Sequence, residues 1–117
     1  NFFLKYDSFF EVPLLDKKIL TAWLAFPVLI KKNKYFDRTN LQIHLEKNNI
    51  QTRTIFTGNI LKQPIMKNQK FKKHKNSEIN STDIMRRGML LGSHQGLSLK
   101  DVKYMTDTIE KYIKKFT

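Results

Sequence analysis

The chain has 117 residues, enough for one domain, and 40% of them are hydrophobic, nine being Phe, so a real core is available. Twenty-two Lys and Arg against ten Asp and Glu give a net charge of +12, which favours phosphates, nucleotides, nucleic acid or an anionic membrane surface as partners. The absence of cysteine excludes disulfides and thiolate metal sites, and no apolar run reaches the ~18–20 residues that a membrane helix needs.

Five of the first ten residues are aromatic, too many to leave in water. Residues 1–15 therefore either cover the core of this domain or meet a neighbouring one. Asp16, Lys17 and Lys18 read as a solvated turn. Residues 21–32 form the strongest strand candidate, apolar on both faces and so expected to be covered on both sides. Pro27 removes one ladder donor and implies an edge position or a bulge.

Residues 37–49 read as a helix. Asp37 is a suitable N-cap, Phe36 and Leu41 stand at the two positions of a hydrophobic staple, and Asn48-Asn49 suits a C-terminal stop. Leu41 and Leu45 share one face. Residues 50–56 follow as a strand. Residues 62–75 hold six lysines and no acid. They read as a phosphate-binding stripe or as a surface loop, and the interleaved Asn, Gln and Pro favour the loop. Residues 80–87 suggest a short helix with Asn80 and Asp83 at capping-box spacing, and residues 89–91 a short strand closing at Gly92.

Residues 98–116 give the clearest helix. Ser98 caps it, Asp101 sits in its first turn, and Val102, Met105, Ile109, Tyr112, Ile113 and Phe116 form a core-facing stripe. Strands alternating with helices give an α/β sandwich, a small sheet with helices on one face.

The chemistry concentrates in residues 51–64, where a β segment breaks at Gly58-Asn59 and ends at Pro64. Arg53, Asn59 and Gln63 are the residue types that recognise hydroxyls, amides and phosphates. An ordinary strand-to-loop corner is the plainer reading. His94 stands between Gly92 and Gly96 in a polar loop that permits close approach of a ligand, or is simply a turn. His44, His74 and His94 lack zinc-ligand spacing, and no phosphate-cradling or dinucleotide glycine motif occurs. No catalytic residue and no metal site emerge from the residues themselves.

The run Ile-Gln-Thr-Arg-Thr-Ile-Phe-Thr-Gly-Asn-Ile-Leu-Lys-Gln-Pro-Ile-Met, from Ile50 to Met66, resembles a signature of the DegT/StrS family of pyridoxal-phosphate sugar aminotransferases. It is most similar to the branch that includes CDP-4-keto-6-deoxyglucose 3-dehydrase. Trp23-Leu24-Ala25-Phe26-Pro27, the helix after Leu41 and Gly88-Met89-Leu90-Leu91-Gly92-Ser93-His94-Gln95-Gly96-Leu97 resemble other family segments in the same order. The resemblance implies that residues 1–117 are one domain, the C-terminal small domain of a longer fold type I enzyme, with residues 1–20 as the inter-domain segment. A start at Asn1, without methionine, agrees with a piece of a longer protein.

The resemblance also implies a pyridoxal or pyridoxamine phosphate cofactor held mainly by a large domain that carries the reactive lysine, or the histidine that replaces it in dehydrases. Partners would be that large domain, a nucleotide-sugar and a second copy in a homodimer. The task would be deoxysugar and lipopolysaccharide synthesis in the cytoplasm, with no membrane partner. Arg53, Asn59, Gln63 and His94 would contact substrate, Arg53 pairing with phosphate and Asn59 and Gln63 with sugar hydroxyls. The rival reading is a basic nucleic-acid-binding module, which needs basic and aromatic side chains on one exposed face.

Overall fold

The computed structural model describes residues 2–16, 18–56, 58–72, 74 and 78–117. Its elements, in chain order, are α1 (Phe2–Lys5), β1 (Phe10–Glu11), β2 (Ala25–Ile30), α2 (Arg38–Lys47), β3 (Thr52–Thr54), two 3-10 turns (Ile60–Lys62 and Pro64–Asn68), α3 (Glu78–Arg87), β4 (Gly88–Gly92) and α4 (Leu99–Ile113). The strands form one antiparallel sheet in the order β1-β2-β4-β3.

The register decides what each face does. Phe26 lies opposite Leu91 and Val28 opposite Met89, while Thr52 and Thr54 take the same two partners from the other side. Alternation along the strands puts these residues and Ile30 on one face. There Val28, Ile30, Met89 and Leu91 are buried against Leu41 and Leu45 of α2 and Ile109, Tyr112 and Ile113 of α4. The opposite face carries Ala25, Pro27, Leu29 and Leu90, all only half-buried, and Arg53, which is exposed. Helices α2 and α4 thus cover one side, as expected. The expectation that residues 21–32 would be covered on both sides is corrected, because an apolar sequence states what a strand avoids but not whether this chain supplies the cover.

Pro27 fits where the ladder has run out. Lys31 N–H donates to Phe9 O at 2.8 Å, so odd-numbered backbone groups of β2 point towards β1. Strand β1 ends at Glu11, opposite Leu29. At Pro27 the β1 side has no partner strand, and the missing donor leaves nothing unsatisfied.

Helix ends follow local chemistry. Asp37 accepts from Asn40 N–H, and Ser98 and Asp101 complete a reciprocal capping box. Helix α2 stops in a Schellman arrangement: Asn49 takes φ +58°, its N–H reaches Glu46 O, and Ile50 N–H reaches Leu45 O. Helix α3 begins at Glu78, so Asn80 lies inside it, and Asp83 pairs with Arg87 at 2.7 Å instead of closing a capping box. On α4 the buried stripe begins at Met105; Val102 is 40% exposed.

The aromatic N-terminus packs on this core. Phe9 and Phe10 are buried, Phe2, Phe3 and Tyr6 pack against them, and Phe36 meets Phe9, Tyr112 and Phe116 with ring centroids 5.4–5.8 Å apart. Lys5 and Tyr6 both bond Glu110 Oε1, tying α1 to α4. Residues 50–56 are strand only at Thr52–Thr54, and the lysine-bearing stretch contains the two 3-10 turns. Lys73 and Lys75 of that stretch lie outside the described residues, as does Lys17 of the expected turn.

Candidate functional site

One cleft, of about 1060 Å³, opens where the uncovered face meets the end of α4. Arg53 and Phe56 line it from β3 and the segment after it, Leu90 from β4, His94 from the following loop, and Asp101 and Val102 from the start of α4. Its volume is at the upper end of the ~300–1,000 Å³ usual for small-molecule sites.

Arg53 is held at the middle of β3, opposite Leu90, and projects from the uncovered face. The strand is fixed from its free edge: Thr52 N–H donates to Glu46 Oε1 at 2.6 Å, and Gln42 Nε2 donates to Thr52 Oγ1 at 3.0 Å. Such side-chain cover closes an edge that would otherwise template further strands. No described residue gives the Arg53 guanidinium a hydrogen bond or an ion pair. By contrast, Arg38 donates to Met85 O and Gly88 O, and Arg87 to Ile30 O and Asp83.

His94 is ordered by its own loop. Gly96 N–H donates to His94 Nδ1 at 3.1 Å, and a Cβ at Gly96 would stand 3.0 Å from that nitrogen. The glycine therefore permits an approach to the imidazole itself. With Nδ1 accepting, the neutral ring carries its proton on Nε2, as a donor. Across from it, hydrogen bonds from the Ser98 side chain, and then from its backbone, hold the Asp101 carboxyl below the ordinary carboxylate range. The cleft contains a free cation, an imidazole donor and an ionised carboxylate already engaged by a cap.

Asn59 and Gln63 do not line this cleft. Asn59 is buried; its Oδ1 accepts from Leu61 N–H and its Nδ2 donates to Thr82 Oγ1, both at 3.0 Å. It caps the first 3-10 turn and ties it to α3. Gln63 is half-buried between the two turns, its N–H on Ile60 O at 3.0 Å. The structure thus brings Arg53 and His94 to one cleft, ties Asn59 to α3 and leaves Gln63 between the two 3-10 turns. Phe56, Asp101 and Val102 are cleft residues that sequence reasoning did not assign to a site; Asp101 reads there as a first-turn residue and Val102 as part of the core-facing stripe. Phe56 alone had a local signal, an aromatic just ahead of the Gly58-Asn59 break.

A lysine-bound cofactor needs an amine shielded from water. No described lysine is buried, so none has the desolvated environment of a nucleophilic, imine-forming amine. The described residues do not by themselves fit such a group. No group of three or more His, Cys, Asp or Glu among them could hold a metal ion. His44 stacks on Tyr112 with centroids 4.7 Å apart, and burial lowers its pKa. No helix among the described residues is long and apolar enough to cross a membrane.

The model of the DegT/DnrJ/EryC1/StrS aminotransferase family matches residues 4–110. The chain is 30% identical over 106 residues to the lipopolysaccharide biosynthesis protein RfbH of Salmonella typhimurium, covering 90% of this chain and 24% of that protein. It is 29% identical over 108 residues to the GDP-4-keto-6-deoxy-D-mannose 3-dehydratase of Escherichia coli O55:H7, covering 89% of this chain and 28% of that one.

The solved structure of an E. coli GDP-4-keto-6-deoxy-D-mannose-3-dehydratase with bound hydrated PLP superposes with a TM-score of 0.75 at 25% identity, over 92% of this chain and 28% of that one. A DegT DnrJ EryC1 StrS aminotransferase from Brucella abortus gives a TM-score of 0.77 over 95% of this chain and 28% of that one, and at 17% identity it speaks for the fold alone. The chain spans about a quarter of the length of these relatives.

Proposed function

Since the chain belongs to the DegT/DnrJ/EryC1/StrS aminotransferase family, we propose that it is the C-terminal small domain of a longer nucleotide-sugar aminotransferase or 3-dehydrase. The enzyme would use pyridoxal or pyridoxamine phosphate and serve deoxysugar and lipopolysaccharide synthesis in the cytoplasm as a homodimer. Two relatives named as 3-dehydratases support the dehydrase branch. The cofactor supplies an electron sink when bound. Because the described residues offer it no buried amine, no step on it is assigned to this chain.

The observation that carries the reading is the unpaired Arg53 guanidinium in the same cleft as the His94 donor. A guanidinium left free on a half-buried apolar face suits an anion that arrives with the ligand, and the diphosphate of a nucleotide-sugar is such an anion. His94 Nε2 donates to the same group or to a sugar hydroxyl. Asn59 acts one layer back, by holding the loop against α3 through Thr82, and Gln63 sits between the two 3-10 turns.

The uncovered face supports a docking role towards a large domain. Pro27 and Leu90 of that face are only half-buried, Leu24 lines the same cleft as Leu90, and Leu14, Leu20 and Leu24 are each at least 96% exposed. Patches of this kind are normally covered. The nucleic-acid reading is the weaker one, since two of the four arginines, Arg38 and Arg87, are spent on internal carbonyls.

The test is Arg53→Ala in the full-length enzyme. Losing a charge-assisted hydrogen bond of about 1.5–3 kcal/mol lowers kcat/KM for the nucleotide-sugar about 10- to 100-fold. Thermal unfolding stays where it was, because Arg53 is exposed. Unchanged kinetics would remove Arg53 from the site.

A further inference from the structure

Phe56 is at odds with its surroundings unless a ligand completes them. Its φ is +44°, a left-handed conformation that a bulky L-residue avoids at a penalty of roughly 1–2 kcal/mol. Its ring is 90% exposed, so no burial within this domain offsets that penalty. The conformation is nevertheless fixed from both sides. Thr54 Oγ1 donates to Phe56 O at 3.2 Å, and Gly58, at φ +70°, is pressed so closely on α3 that a Cβ there would lie 2.3 Å from Met85 Cα. A chain that only needed to turn here would place glycine or asparagine at Phe56.

Phe56 lines the same cleft as Arg53. They stand three positions apart in sequence, a span of at most about 10 Å, comparable to the distance from a nucleobase to its diphosphate. The cleft's volume of about 1060 Å³ exceeds what a lone phosphate needs.

We propose that Phe56 is the base-stacking platform of this cleft: its exposed ring takes the flat face of a nucleoside diphosphate's base while Arg53 takes the diphosphate. This rests on the nucleotide-sugar reading above and adds a residue and a role to it. Stacking tolerates any base, since every base has a π face. Phe56 therefore supplies affinity for nucleotides in general and does not choose among them. Pyridoxal phosphate shares the chemistry of a flat heteroaromatic ring with a phosphate, and its shorter ring-to-phosphate reach is the reason to favour the nucleotide.

The experiment is calorimetric titration of the full-length enzyme with GDP, CDP, UDP and dTDP in turn, with inorganic pyrophosphate, and with pyridoxal phosphate. Phe56→Leu should weaken binding of the preferred nucleoside diphosphate about tenfold or more, the scale of one lost stack. It should leave pyrophosphate and pyridoxal phosphate unchanged, and Phe56→Trp should retain nucleotide affinity. Arg53→Ala should weaken nucleotide and pyrophosphate alike. Unaltered nucleotide binding by Phe56→Leu overturns the proposal, as does an equal loss of pyrophosphate or a loss confined to pyridoxal phosphate. If the unsubstituted enzyme binds none of the four diphosphates, the nucleotide-sugar reading itself fails, an outcome separate from those three.

Discussion

Gly58→Ala tests how tightly the loop after β3 is pinned. A methyl group there would stand 2.3 Å from Met85 Cα, 2.4 Å from Met85 Cβ and 2.7 Å from Met85 N. Carbon atoms rest at about 3.5–4.0 Å, so the overlap exceeds 1 Å. Two of the three atoms belong to the backbone of α3, which cannot step aside as a flexible side-chain end would. Overpacking of this kind costs about 1–3 kcal/mol. The φ of +70° adds roughly 1–2 kcal/mol for any residue with a Cβ. Together they come to about 2–5 kcal/mol, a large share of the ~5–15 kcal/mol that holds a domain together. Urea unfolding followed by circular dichroism measures it as a lower midpoint at unchanged slope. A loss below about 1 kcal/mol would show that loop and helix separate freely, and the fixed geometry argued for Phe56 would go with it.

Asn59→Ala strips the cap from Leu61 N–H and the partner from Thr82 Oγ1; at this buried position a loss of about 1–3 kcal/mol is expected in the same unfolding assay. Phe56→Gly should leave the unfolding midpoint unchanged or raise stability by up to about 1 kcal/mol, because relief of the left-handed strain exceeds the added entropy of the unfolded chain. For Glu110, hydrogen bonds from Lys5, then from Tyr6, depress the carboxyl to about 2 from an ordinary 4.5. A depressed carboxylate contributes stability that is present above the unfolded value and lost as pH falls through the folded one. The thermal midpoint of the protein should therefore drop towards that of Glu110→Gln between about pH 5 and pH 2. A gap that stays constant across that range would show that Glu110 does not carry the tie between α1 and α4.

What the sequence makes legible is what neighbours in the chain decide among themselves. The Ser98 cap, the Asp37 cap and the stop at Asn48-Asn49 each depend on a few adjacent residues and appear as read; that Asp101 closes a reciprocal box with Ser98, and that Asn49 turns left-handed, the structure adds. Strand β1 is two residues long and exists because Phe10 and Glu11 meet Ile30 and Leu29. Nothing near Phe10 announces that pairing. The same limit applies to the cleft. Arg53 could be picked out as a cation in a β segment, but its meeting with His94 depends on β4 lying between β2 and β3, a non-local pairing. Asn59 was legible as a polar residue at a break. Whether such a residue faces a ligand or caps a turn depends on Thr82, which only the packing of α3 brings near.

Both halves of the candidate site hang from one continuous piece of chain. Arg53 is placed by pairing with Leu90 of β4, and two residues after Leu90 β4 closes at Gly92 and leads directly into the loop that carries His94. Gly58, two residues after Phe56, packs on Met85 of α3 and Asn59 bonds Thr82 of it, and α3 passes into β4 without a break, Arg87 being followed by Gly88. Gly88 is itself a close-packed point, since a Cβ there would lie 2.7 Å from Ile84 O and 2.8 Å from Ile55 Cδ1. A shift of α3 would therefore move cation, imidazole and aromatic ring as a set instead of separating them. That is the mechanical property expected of a lobe that closes on a ligand as a rigid unit, with its distances kept by a strand and a helix and not by the loops that carry the side chains.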